Sequence, residues 1–150
     1  MTRFQTIALS ATLLTGLCAA VPALARDEHK LFGIQDALTT PEALERLDKG
    51  VKLYFGKQKT PKVVKTIGEW KTNKKTNAVG KSDQKACEWV FLSAVIALQE
   101  RARQEGGNAV VNIKSNYKNV EQSSDTEYTC GAGSIMAGVA LVGTVVTLGK

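Results

Sequence analysis

Residues 82–113 read SDQKACEWVFLSAVIALQERARQEGGNAVVNI and hold a helix and a strand joined through a glycine pair. Ser82 is an N-cap residue type, Asp83 complements the positive end of a helix dipole, and Gly106-Gly107 ends the run. Between them Cys87, Val90, Phe91, Ala94, Val95, Leu98 and Ala102 recur on one face of a 3.6-residue period. Trp89, Leu92 and Ile96 widen that stripe, so a helix over 82–104 is expected to pack on more than one side. After Leu98 the residues Gln99, Glu100, Arg101, Arg103 and Gln104 turn polar, and the last turns are expected to reach solvent. Asn108 to Ser115 then reads as a strand, with Ala109, Val110, Val111 and Ile113 apolar.

Downstream, Asn116 to Asp125 is a polar connection, and Glu127 to Leu148 supplies one or two closing strands. Tyr128 to Gly149 carries no charge, a length that would also suit a tail anchor. Glycines at 131, 133, 138 and 143 and the β-branched bias favour buried strands instead. Upstream, Ile34 to Leu38 reads as a short helical turn. Thr40-Pro41-Glu42 opens a second helix, with Ala43 and Leu47 as its apolar pair and Gly50 as its stop. Val51 to Phe55 and Val63 to Trp70 read as a hairpin across the polar turn Gly56 to Pro61. Lys71 to Lys81 has almost no apolar content and reads as a surface loop. The expected fold is α/β in the α+β sense. A small sheet of four or five strands packs against one long helix, preceded by a short N-terminal helical segment.

The first residues address the chain to a compartment. Arg3 forms a positive n-region, Ile7 to Ala20 an apolar h-region, and Ala23-Leu24-Ala25 an A-x-A cleavage signal. We expect residues 1–25 to be a signal peptide cut after Ala25, and residues 26–150 to be one periplasmic α+β domain. That product carries 19 Lys and Arg against 14 Asp and Glu, or +5. Cys18 is a poor lipidation site, because Leu17 and Thr15 stand where small and aliphatic residues are preferred. Cys87 and Cys130 remain, to be read as one disulfide in an oxidising compartment or as two separate buried thiols.

Catalytic signals are missing from the pattern. The nearest approach to a phosphate-binding loop, Gly50 to Gly56-Lys57, has five intervening residues rather than four, and Gln58 stands where Ser or Thr is needed. No nucleotide cofactor is expected. His29 is the sole histidine and lies near the expected mature N-terminus, in a segment expected to be mobile. It has no second histidine for a nucleophile–base pair, and two cysteines without CxxC spacing do not make a zinc site. We expect no enzyme, no cofactor and no metal.

Charge is the strongest functional signal. From Lys52 to Lys85 there are ten lysines against two acids, Glu69 and Asp83. Lys57, Lys59, Lys62 and Lys65 surround the expected hairpin turn, and Lys71, Lys74, Lys75 and Lys81 fill the expected loop, with Trp70 between the groups. These eight are the candidate contacts for an anionic envelope partner, such as a phospholipid headgroup, lipopolysaccharide or an acidic protein. The competing reading is a solvated surface that keeps an exported protein soluble. No arginine occurs in the run, which speaks against bidentate phosphate recognition, and nucleic acid is not the expected partner.

From Ala86 onward the chain resembles the YbjQ-like family and the related Rcs stress-sensor-lipoprotein-like fold. The likeness rests on the helix ending Glu100-Arg101-Ala102-Arg103, the turn and strand Gly106-Gly107-Asn108-Ala109-Val110-Val111-Asn112-Ile113, and the stretch Cys130-Gly131-Ala132-Gly133. It spans roughly Val63 to Leu148. The resemblance implies the same fold, with Cys87 and Cys130 matching one of the sensor's two disulfides. Thr72-Asn73-Lys74-Lys75-Thr76-Asn77 and Trp89-Val90-Phe91-Leu92-Ser93-Ala94 are also similar to small exported bacterial proteins labelled as an excinuclease ATPase subunit. A chain with a leader and no phosphate-binding loop does not fit that label. The expected function is a non-enzymatic binding or sensing module of the envelope. The alternative is a self-assembling structural protein whose glycine-rich C-terminal strands pair between subunits, a homo-oligomer.

Overall fold

The computed structural model describes residues 26–149, so the expected leader lies outside the described residues. Ten elements follow in order: β1 (Glu28–Gly33), α1 (Ile34–Leu38), α2 (Pro41–Arg46), β2 (Lys52–Phe55) and β3 (Val63–Asn77). They continue with α3 (Asp83–Gln104), β4 (Ala109–Tyr117), β5 (Val120–Gln122), β6 (Glu127–Ala132) and β7 (Met136–Leu148). Among the described residues the fold is mixed α+β, one seven-stranded sheet with three helices. The sheet is larger than the four or five strands expected.

Local chemistry sets the helix ends. Thr40 Oγ1 accepts the Ala43 N–H at 3.2 Å and Pro41 occupies the first turn of α2. Ser82 Oγ accepts the Lys85 N–H at 3.2 Å at the start of α3. Gly106 takes φ 78, which closes α3 through the Gly107 N–H to Ala102 carbonyl bond of 2.8 Å. Trp89 does not bury as the widened stripe suggested. It is 41 % exposed on the outer side of α3, while Leu92 beside it is fully enclosed.

The last strand organises the sheet. β3 runs antiparallel along one side of β7 for its whole length, while β4 and β6 divide the other side. β1 pairs with β6, β5 with β4, and β2 lies parallel to β4. The expected β2–β3 hairpin does not exist: β2 joins β4, and β3 is separated from it by the sheet's centre. A parallel pair needs a long crossover, and β3 with α3 forms it. The expected loop Lys71–Lys81 is also corrected, because residues 71–77 continue β3. His29 is not in a mobile segment but in β1, opposite Gly131.

The core lies between the sheet and α3. Phe91 stacks on Tyr128 with ring centroids 3.9 Å apart, and Phe32 and Phe55 close the aromatic cluster. Val139, Leu141 and Val145 of β7 face Val90, Ala94 and Leu98 in the same core. Cys87 and Cys130 form a disulfide that joins α3 to β6, which resolves the two readings of those cysteines. The uncharged tail 128–149 forms β6 and β7. Among the described residues no helix is long and apolar enough to cross a membrane.

Glu100, Arg101, Arg103 and Gln104 reach solvent as expected, and Gln99 is the exception in the last turns of α3. Its side chain is buried, accepts the Asp48 N–H at 3.0 Å, and donates to the Asp48 and Val51 carbonyls at 2.9 and 2.8 Å. One amide therefore fastens the α2–β2 connection to the helix. Gln99→Leu would strand those backbone groups, and a loss of about 2 kcal/mol is expected in chemical denaturation.

Candidate functional site

All eight candidate lysines are exposed, and among the described residues none takes part in an ion pair. They do not form one compact patch. Lys57, Lys59 and Lys62 lie in the β2–β3 connection, and Lys65 in the irregular first part of β3. The Lys57 N–H is held by Asp125 Oδ1 at 2.6 Å. Lys71, Lys74 and Lys75 lie on β3, and Lys81 follows it, with its Nζ donating to the Asn77 carbonyl at 2.7 Å.

Strand pleating divides the middle group further. Lys74 is opposite Val139 and shares the α3 side of the sheet, whereas Lys71 and Lys75 are opposite Val142 and Gly138 and project from the other face. Trp70 lies on the α3 side, half-buried, with the Arg101 guanidinium 5.9 Å from its ring. At about 3.3 Å per residue, Lys65 and Lys75 are roughly 30 Å apart. The arrangement is a basic ridge along an edge strand, with cations on both faces.

Two other charged groups lie away from the ridge. Arg26, Glu28, Lys30 and Asp83 knit β1 to the start of α3, with Lys30–Asp83 at 2.7 Å and Arg26–Glu28 at 2.9 Å. Hydrogen bonds from Arg26 and then Lys30 hold the Glu28 carboxyl down to about 2. The Asp83 carboxyl is lowered by Lys30 and then Arg26. The group is exposed, so it orients β1 and adds little stability.

On the sheet face away from α3, Asp27 pairs with Lys118 and accepts the Tyr117 hydroxyl at 3.3 Å, and His29 meets the Tyr117 ring edge-on at 4.9 Å. The Lys118 contact lowers the Asp27 carboxyl, while burial raises the Tyr117 phenol. Tyr117 fills space only a glycine leaves open, since a Cβ on Gly131 would sit 1.9 Å from its hydroxyl oxygen. A cavity of about 440 Å³ opens beside it, lined by Lys75, Gly133, Met136 and Gly138. A second groove of about 620 Å³ runs between α2 and α3 past Pro41, Lys85, Glu88 and Trp89. Among the described residues no three His, Cys, Asp or Glu side chains gather where a metal could bind.

Sequence reasoning found the lysines and the first part of β3, Val63 to Trp70, but missed its continuation over residues 71–77, which carries Lys71, Lys74 and Lys75. The one available signal was Thr66, Thr72 and Thr76, β-branched residues spaced through the basic run. The fold and site together define a disulfide-stapled α+β domain with a lysine-lined edge. No protein-family model, curated protein or solved structure matches the chain.

Proposed function

We propose that this chain is an exported, non-enzymatic binding module of the cell envelope, which uses the lysine ridge to contact an anionic partner. The observation that carries the reading is the set of eight exposed lysines, none of which forms an ion pair among the described residues, although Lys71 is near enough to Glu121 to help lower its carboxyl. Free cations on a rigid frame set up a positive potential without the cost of breaking internal pairs. The Cys87–Cys130 disulfide and the leader-like first residues support an oxidising compartment. The YbjQ-like resemblance supports a scaffold rather than a catalyst.

The alternative, assembly through the C-terminal strands, has less support. β7 has β3 on one side and β4 and β6 on the other, so its backbone groups are already paired. Subunits would have to open the sheet to use it.

Binding to phosphatidylglycerol vesicles and to poly-L-glutamate, measured at about 50 mM and about 500 mM salt, tests the proposal. Binding to at least one polyanion that falls at least about tenfold at the higher salt is expected. Reversing Lys57, Lys59, Lys62 and Lys65 to Glu together should weaken it comparably. Failure to bind either polyanion at low salt would overturn the reading.

A further inference from the structure

We propose that the outer edge of β3, from Glu69 to Asn77, accepts an extended acidic segment of a partner protein as an additional strand. The inference rests on the basic-ridge reading and names the partner's chemistry.

The starting point is how the sheet ends. β1, β2 and β5 are edge strands of six, four and three residues, short enough to offer little to another chain. β3 is fifteen residues long and, among the described residues, pairs only with β7. Its outward N–H and C=O groups are a template for pairing, the arrangement that natural sheets avoid or block.

The blocking devices are unevenly placed. Register shifts between Val63 and Lys65 and between Thr66 and Gly68 disturb the first part of the strand. From Gly68 to Asn77 the ladder with β7 runs without interruption, from Val145 to Met136. Over that stretch there is no bulge and no proline, and only charge guards the edge: Lys71, Lys74 and Lys75 against Glu69.

The distinction matters because the two kinds of guard differ in selectivity. A bulge or proline rejects every incoming strand. Lysines reject a second copy of this edge, which would set three cations against three, but they attract an acidic strand. Pleating adds to the fit. Alternate side chains of an added strand would meet Lys74 on the α3 face and Lys71 and Lys75 on the other. Backbone pairing would give affinity and the lysines would select for charge.

The test compares two blocked peptides of alternating threonine and glutamate, each about ten residues long, one of them methylated at every backbone nitrogen. Both carry the same charge, but only the unmethylated one can extend a sheet. The expected result is binding about tenfold or more tighter for the unmethylated peptide, with slowed amide exchange confined to residues 69–77. The triple variant Lys71→Glu, Lys74→Glu, Lys75→Glu should lose that binding while keeping the native circular dichroism. Should the variant not fold, the two-peptide comparison on the parent chain decides alone. Equal affinity for the two peptides would overturn edge pairing yet leave the basic-ridge reading standing. Absence of peptide binding alongside salt-sensitive vesicle binding would do the same, and binding to no polyanion would sink both.

Discussion

Phe91→Ala is expected to destabilise the domain by about 3–5 kcal/mol, enough to consume much of the stability of a typical single domain. Phe91 is fully buried on the inner face of α3 and is the hinge of the aromatic cluster. Its ring lies 3.9 Å from that of Tyr128 and 5.9 Å from that of Phe55. Truncation removes the transfer free energy of the ring and leaves a cavity that β6 and β7, both paired in the sheet, are poorly placed to close. The Tyr128 hydroxyl is buried with no hydrogen-bond partner among the described residues, so no polar contact there offsets the lost packing. Urea unfolding followed by tryptophan fluorescence would measure the loss. A change below about 1 kcal/mol would contradict the packing described.

Replacing Cys87 and Cys130 together by alanine is expected to cost about 3–4 kcal/mol, lowering the thermal midpoint by roughly 10–20 °C. The bond spans 43 residues, a loop that includes most of α3, β4, β5 and the first part of β6. In the chain-entropy account its removal releases that loop in the unfolded state, which gains freedom the folded state cannot match. Both sulfurs are fully buried, so the native bond should also resist mild reductant until the domain opens. Calorimetry of the double variant beside the parent chain measures the shift. An unchanged midpoint would mean that the bond contributes nothing to stability.

How much could be read from the sequence depended on whether a segment's signal was internal to it. α3 was legible because its apolar stripe, its Ser82 cap and its Gly106 terminator all lie within one stretch of chain. The start of α2 was legible through Thr40 and Pro41 for the same reason, but the helix ends at Arg46, with Leu47 already extended, rather than running to Gly50. β1 was not. Glu28-His29-Lys30 has no strand-like pattern, and it is a strand because β6 supplies its hydrogen bonds a hundred residues later. Residues 71–77 were misread as loop because an edge strand buries neither face fully, and lysine or asparagine can occupy much of it. The Gln99 contact was invisible because a glutamine in a polar run looks the same whether it faces water or a distant backbone turn.

The candidate site followed the same division. Its residues were evident as an excess of lysine between residues 52 and 85, since charge is a property of composition. Their arrangement was not, because proximity in sequence says nothing of the pleat that sends Lys74 and Lys75 to opposite faces.

By itself the sequence determined the α+β class, the central helix and its caps, the basic character and the two cysteines able to pair. Each follows from local period, capping chemistry or composition. The tertiary structure alone decided the seven-stranded order, the parallel union of β2 with β4, the burial of Gln99 and the exposure of the β3 edge. Those depend on hydrogen bonds between segments far apart in the chain, and a strand's partner is written in neither of the two sequences that meet.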